Sequence, residues 1–229
     1  MPDLSPDAWV AIFLSFKVAA MATLWGVPVS IVLALILARG RFPGKALFDG
    51  IIHLPLVLPP VVTGYALLVL LGRKGVLGAF LDQHFGIVFA FRWTGAVVAA
   101  VVMSLPLIVR AIRLSIEAVD ARLEQASGTL GAGPFATFFL VTLPLSLPGI
   151  LVGATLGFAK ALGEFGATIT FVSNIPGETR TIASAIYTAS QSPDGDGEAL
   201  MLSLIAAGIG LAALVASEII ARWFRRAFS

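Results

Sequence analysis

Five stretches of this 229-residue chain carry no formal charge, and they restrict its fold more than any other feature. Val18–Ala38 runs for 21 residues, Gly50–Gly72 for 23, Trp93–Val109 for 17, Phe135–Ala159 for 25 and Ala199–Ser217 for 19. A bilayer core of ~30 Å takes roughly 20 helical residues, so each stretch reads as a membrane-spanning helix. With their flanks the spans fall near residues 10–38, 50–72, 92–110, 144–164 and 199–219. Phe165–Gly177 is a further uncharged run of 13, short for a crossing and better suited to a continuation or a partial, re-entrant segment. The expected fold class is therefore an all-α integral membrane protein, one domain over residues 1–229 with about five transmembrane helices. Charged residues make up 12% of the chain and hydrophobic ones 58%, a balance that a soluble fold could not bury and a disordered chain would not have.

The same composition excludes several kinds of chemistry. Without cysteine there is no disulfide, thiol nucleophile or iron–sulfur cluster, and His53 and His84 are too few for a histidine-rich metal site. A net charge of +2 is no footprint for nucleic acid. No G-x-x-x-x-G-K-[ST] loop is present, so no nucleotide site of that kind is expected on this chain. Where the charges sit is more telling. Arg39, Arg41, Lys45, Arg110, Arg113, Arg122, Arg222, Arg225 and Arg226 fall on one side of the spans, against Arg73, Lys74, Arg92 and Arg180 on the other. The positive-inside bias then puts the C-terminus in the cytoplasm and, with five crossings, the N-terminus outside. The start, Met1–Asp7, is acidic with two prolines, unlike a cleavable signal, so the first span is expected to be retained.

Residues 119–143 form the longest connection on the basic side. Asp120 suits an N-cap, Gly131 a C-cap, and Gly133-Pro134 a sharp stop followed by a new helix start. Two short helices are expected to project there, the second running through Phe135–Thr142 to Leu143-Pro144. Their small exposed residues either let another protein approach the backbone closely or pack a tight interhelical turn.

Two further stretches carry chemistry at membrane depth. Pro55, Pro59 and Pro60 remove backbone donors within six residues of the second span, which must kink or unwind. Broken backbone in a bilayer is tolerated against protein or a water-filled cavity, so this span lines a pathway or makes a packing kink. His53 reads as a substrate contact or a hydrogen-bonded interfacial residue. Lys160 and Glu164 lie four apart on one helix face and can pair, either to serve an anion pathway or as a structural pair near the outer interface. Gly163, Phe165 and Gly166 surround Glu164, and a bend there would suit a gate.

At this point the residues carry a resemblance. Gln125-Ala126-Ser127, three residues, Gly131, nine residues, Val141, one residue, Leu143-Pro144 resembles the EAA loop of ABC-importer permeases, with Gln, Ser and Val in place of Glu, Ala and Ile. Phe42-Pro43-Gly44-Lys45, Leu54–Tyr65 and Gly163–Ala167 through Arg180-Thr181-Ile182 are similar to permeases of molybdate importers, relatives of the sulfate permeases. The resemblance implies a type I ABC-importer permease fold in the bacterial inner membrane. It implies that Glu124, Gln125, Ala126, Ser127, Gly131, Val141, Leu143 and Pro144 form the loop that docks on a separate ATPase. Pro55, Pro59, Pro60, Lys160, Gly163, Glu164, Phe165 and Gly166 become pathway and gate candidates. Implied partners are two ATPase copies, a second copy of this chain, and a periplasmic or lipid-tethered oxyanion-binding protein. No cofactor is expected on this chain, with ATP and Mg2+ residing on the ATPase.

The substrate expected from this resemblance is molybdate, with sulfate or tungstate as the alternative. An ion-gradient-driven transporter is the alternative of another class, but such folds pair broken helices in both halves, and the proline-rich span has no evident counterpart. A membrane enzyme would need a nucleophile beside a base, and His53, Lys160 and Glu164 make no recognisable set.

Overall fold

In the computed structural model, which describes residues 4–227, every regular element is helical. The long elements are α1 (Pro6–Arg39), α5 (Trp93–Glu117), α8 (Leu143–Leu162) and α11 (Asp196–Ala227). Shorter ones are α2 (Lys45–Val57), α3 (Pro60–Leu71), α4 (Val76–Phe85), α6 (Ala121–Thr129), α7 (Pro134–Thr137), α9 (Gly166–Val172) and α10 (Ile182–Ser190). A π-helical turn, Phe138–Thr142, joins α7 to α8. Met1–Asp3 and the side chains of Arg225 and Arg226 lie outside the described residues.

Among the described residues, four helical stretches are long and apolar enough to cross a membrane: Pro6–Arg39, Trp93–Glu117, Pro134–Leu162 and Asp196–Ala216. A fifth is the pair α2 and α3, whose axes bend by 114° at the break between them. The charge-free run at 50–72 is thus a folded pair. The run from Phe165 to Gly177 holds only the seven residues of α9, roughly 10 Å of helix, and then turns at Ser173, whose φ is 67°. It makes no full crossing.

Helix α5 is the pillar. Of its most apolar stretch 61% is buried, against 6% for α11. Helices α1 and α8 pack along it, and the α8 contact runs through three glycines spaced four apart. A Cβ on Gly149 would stand 2.2 Å from Ser115 Cβ, one on Gly153 3.2 Å from Ile108 O, and one on Gly157 2.5 Å from Ile108 Cδ1. Such small-residue stripes let helix backbones approach where burial from water supplies little drive. Around the pillar, one cluster gathers Leu14, Val18, Met103, Leu162 and Phe171, and a second gathers Leu37, Ile52, Ile108, Ile112 and Ile150.

The two ends of the bundle differ in their charged groups. At one end Ser5 caps α1, Arg180 lies 3.9 Å from Asp7, and Glu178 accepts from the Trp93 amide at the start of α5. Lys17 sits over the Trp93 ring, 3.6 Å from its centre, so its charge is held by an aromatic face inside an apolar helix. At the other end Arg113 donates to Asp49 at 3.1 Å and to Glu117 at 2.8 Å, tying α2 to the foot of α5.

Candidate functional site

The exposed segment at residues 119–143 is built from local caps. Asp120 precedes α6 and its carboxylate accepts from the Arg122 amide at 2.9 Å. At the far end the Gly131 amide bonds to Gly128 O at 3.0 Å and the Ala132 amide to Ser127 O at 3.1 Å. These two bonds satisfy the last carbonyls of α6 in a Schellman arrangement, which places its C′ residue in the left-handed region. Gly131 has φ +89°, and a Cβ there would meet open space, so backbone conformation alone selects glycine. Pro134 then sits at the first position of α7, where its missing N–H is not needed.

The second short helix expected from the sequence is not separate: residues 134–162 form one stretch that includes the π turn. Pro144 has no amide hydrogen for Leu140, and its ring needs room in the preceding turn. The wider turn accommodates it, with the Leu143 amide reaching back five residues to Phe138 O. Val141, Leu143 and Pro144 are accordingly part of this stretch, and α6 is the one short helix projecting from the segment.

No residue of α6 is buried. Gln125 and Ala126 face outward with Gly131, while Glu124 and Ser127, one turn apart, are half-buried against the bundle. Ser127 Oγ is 3.1 Å from Thr137 Oγ1. Glu124 Oε1 accepts from Arg39 Nη2 at 3.0 Å and from Thr142 Oγ1 at 2.7 Å. Neither Arg39 nor Thr142 is singled out by the EAA-like pattern. Arg39 reads in sequence only as one of the basic residues on that side, and Thr142 occupies the unspecified position between Val141 and Leu143.

The pathway candidates meet elsewhere. Helix α8 ends at Leu162 with Gly163 at its C-cap, and the chain bends before α9. Glu164 lies at the bend with its side chain 2% exposed; Lys160 Nζ donates to its Oε2 at 2.6 Å and the Ala167 amide to its Oε1 at 3.0 Å. The carboxylate thus neutralises Lys160 and satisfies an amide at the start of α9. Phe165 turns its ring to Tyr187, 5.2 Å away. Gly166 faces the broken pair: a Cβ there would stand 2.8 Å from Pro60 Cβ, and one on Gly64 would stand 2.5 Å from Ala167 O. The structure therefore brings Pro59, Pro60, Glu164 and Gly166 into one region at the α3–α9 contact. Pro55 lies inside α2, the other half of the broken pair. His53 belongs to the other end, its Nδ1 2.9 Å from Asp49 O. Among the described residues no group of three His, Asp or Glu side chains is placed to hold a metal ion.

A central pillar, an apolar helix pair broken at its middle and a capped helix hung from one end form a recognisable architecture. The fold is that of type I ABC-importer permeases. It superposes on a bacterial ABC transporter involved in import of the acidic polysaccharide alginate with a TM-score of 0.75, at 17% identity, over 95% of this chain and 80% of that one. The MetNI methionine ABC transporter gives 0.67, also at 17% identity, over 95% and 94%.

The family described as the inner membrane component of binding-protein-dependent transport systems matches residues 26–228, and this chain belongs to it. It is 58% identical over 219 residues to the molybdenum transport system permease protein ModB of Escherichia coli (strain K12), covering 96% of both chains. The ModB of Haemophilus influenzae is 55% identical over 91% of both. The ModB of Mycobacterium tuberculosis is 41% identical over 88% of this chain and 76% of that one. The protein is a multi-pass transport permease subunit and not an enzyme, and this membership lends no support to the ion-gradient alternative.

Proposed function

We propose that this chain forms the translocation pathway of an ATP-driven importer of molybdate. The observation that carries the reading is the 58% identity to a molybdenum permease, spread over 96% of both chains rather than confined to a shared motif. The working unit is a pair of these chains, with two ATPase subunits at one end and a periplasmic or lipid-tethered binding protein at the other. ATP and Mg2+ reside on the ATPase. The crossings are α1, the α2–α3 pair, α5, residues 134–162 and α11.

Orientation follows from charge. Arg39, Arg113 and Arg122 cluster at the end that carries α6, and a basic end favours the cytoplasm. On this reading α6 lies where an ATPase can reach Gln125, Ala126 and Gly131, with the N-terminus outside and the C-terminus in the cytoplasm. ATP closing the ATPase dimer would move α6 and open the pathway outward, and hydrolysis would return it inward.

The charge pattern of the pathway suits a doubly charged anion that must also leave. Lys160 could attract it, but Glu164 at 2.6 Å cancels the local charge. Transport requires binding favourable enough to enter and weak enough to exit. Strong selection then belongs to the binding protein. The test is ATP hydrolysis by the reconstituted complex with binding protein and either molybdate, tungstate or sulfate. Molybdate is expected to stimulate most; greater stimulation by sulfate would reassign the substrate, and anion uptake without ATP would overturn the importer reading.

A further inference from the structure

We propose that Glu124 is an internal joint, a positioning residue that transmits movement of α6 to the feet of three long helices. The inference rests on the docking role proposed for α6, and concerns the side of that helix turned away from the ATPase.

The geometry sets Glu124 apart from its neighbours. Helix α6 has no buried residue, and two side chains hydrogen-bond it to the bundle. Ser127 reaches only Thr137, in the first turns of the stretch leading to α8. Glu124 reaches further. Its Oε1 is shared between Arg39, the last residue of α1, and Thr142, which closes the π turn at the root of α8. The same Arg39 Nη2 lies 3.1 Å from Ile116 O and 3.3 Å from Val119 O, carbonyls at the C-terminal end of α5. One carboxylate oxygen and one guanidinium nitrogen therefore connect α6 to the feet of α1, α5 and α8.

These links have the properties a transmitting element needs. A carboxylate–guanidinium hydrogen bond is charge-assisted and stronger than a neutral one, so it holds when α6 is pulled. Thr142 is buried, so its end of the bond is shielded from water, while the Arg39–Glu124 pair is partly exposed, with side chains 33% and 22% accessible. The π turn is the compliant part: its ladder is already stretched to a five-residue step, which lets the root of α8 tilt without losing a regular helix. Gln125, one residue away and exposed, has no comparable reach into the bundle.

The experiment uses the whole complex of permease, ATPase and binding protein in proteoliposomes, with two readouts: ATPase retained on the permease, and anion moved per ATP hydrolysed. For Glu124→Ala and Arg39→Glu the ATPase is expected to stay bound while anion per ATP falls roughly tenfold, the scale of one lost charge-assisted bond. Glu124→Gln keeps the shape and is expected to lose less. The exchanged pair Arg39→Glu with Glu124→Arg restores the charge contact but not the donations to Ile116 O and Val119 O, which a carboxylate cannot make, and is expected to recover part of the ratio lost in Arg39→Glu alone. A merely structural role would lower protein yield without that recovery. An unchanged ratio in Glu124→Ala overturns the joint, as does a double variant no better than Arg39→Glu. Loss of bound ATPase in Glu124→Ala also overturns it, by making Glu124 a docking residue. If the wild-type permease retains no ATPase, the docking reading itself fails and the joint falls with it.

Discussion

Residues 134–162 and residues 45–71 each contain three prolines, yet the first stretch is one apolar helical span and the second is bent by 114°. Spacing is part of the reason. Pro134 begins its helix, and Pro144 and Pro148 each remove a single donor four residues apart, with the π turn making room for the first. Pro59 and Pro60 are adjacent. A residue before proline is driven from the helical region, and both Leu58 and Pro59 are extended, with ψ of 143° and 133°. Packing is the rest of the reason. Along α8 the three glycines keep one neighbour, α5, against the helix throughout. The halves of the broken pair have different neighbours, α5 for α2 through Asp49, and α9 for α3 through Gly64. A proline permits a break, and a change of partner makes it lasting.

That contrast can be attacked directly. The largest effect is expected at Glu164→Ala, because α9, the partner of α3, is secured by this carboxylate. Breaking a buried ion pair destabilises by about 3–5 kcal/mol, and the 30% exposure of Lys160 puts the expected loss near the lower figure. A thermal midpoint in mild detergent equal to wild type would show that the broken pair stands without this support. Gly149→Leu comes next, since its side chain would enter the Ser115 contact and prise α8 from α5; overpacking of this kind destabilises by about 2 kcal/mol. If the midpoint does not move, the glycine stripe is not what keeps α8 against its pillar.

Smaller effects separate local from global consequences. Gly131→Ala meets no steric obstacle, so only the left-handed backbone resists it, by about 1 kcal/mol. The midpoint should barely shift while anion moved per ATP falls, and unchanged transport would argue against a docking role for this turn. Pro144→Ala returns an amide to the helix and should change stability by less than about 1 kcal/mol. Hydrogen exchange at residues 138–142 is the sensitive measure. Slower exchange is expected as the π turn tightens, and faster exchange would mean that proline was bracing it.

How much of this was legible in the sequence depends on the distance over which each signal acts. The caps of α6 work within a few residues, so Asp120, Gly131 and Pro134 could be read directly. The Lys160–Glu164 pair is equally local, four residues on one helix face. The partners of Glu124 are not, because Arg39 is 85 residues away and no periodicity links the two. The contact of Pro60 with Gly166 is hidden for a different reason: a glycine carries no side chain whose pattern could announce a neighbour. The stripe Gly149, Gly153, Gly157 is visible as small residues four apart, but nothing in it specifies α5 as the partner. The charge-free run Phe135–Ala159 announced a single span, but Pro144 looks like a boundary within it, and only the π turn shows how a helix can contain it.

The bend between α2 and α3 also has a consequence for biogenesis. The two halves, of 13 and 12 residues, are roughly 20 Å and 18 Å long, and neither alone spans a ~30 Å bilayer core. Gly166, which seats against Pro60, is made roughly a hundred residues later, a delay of about 5–20 s at ordinary elongation rates. The mature turn therefore acquires its supporting partner only after α5 and α8 have been synthesised. It is a late acquisition of the nascent protein, and a chain truncated before Gly166 would lack it.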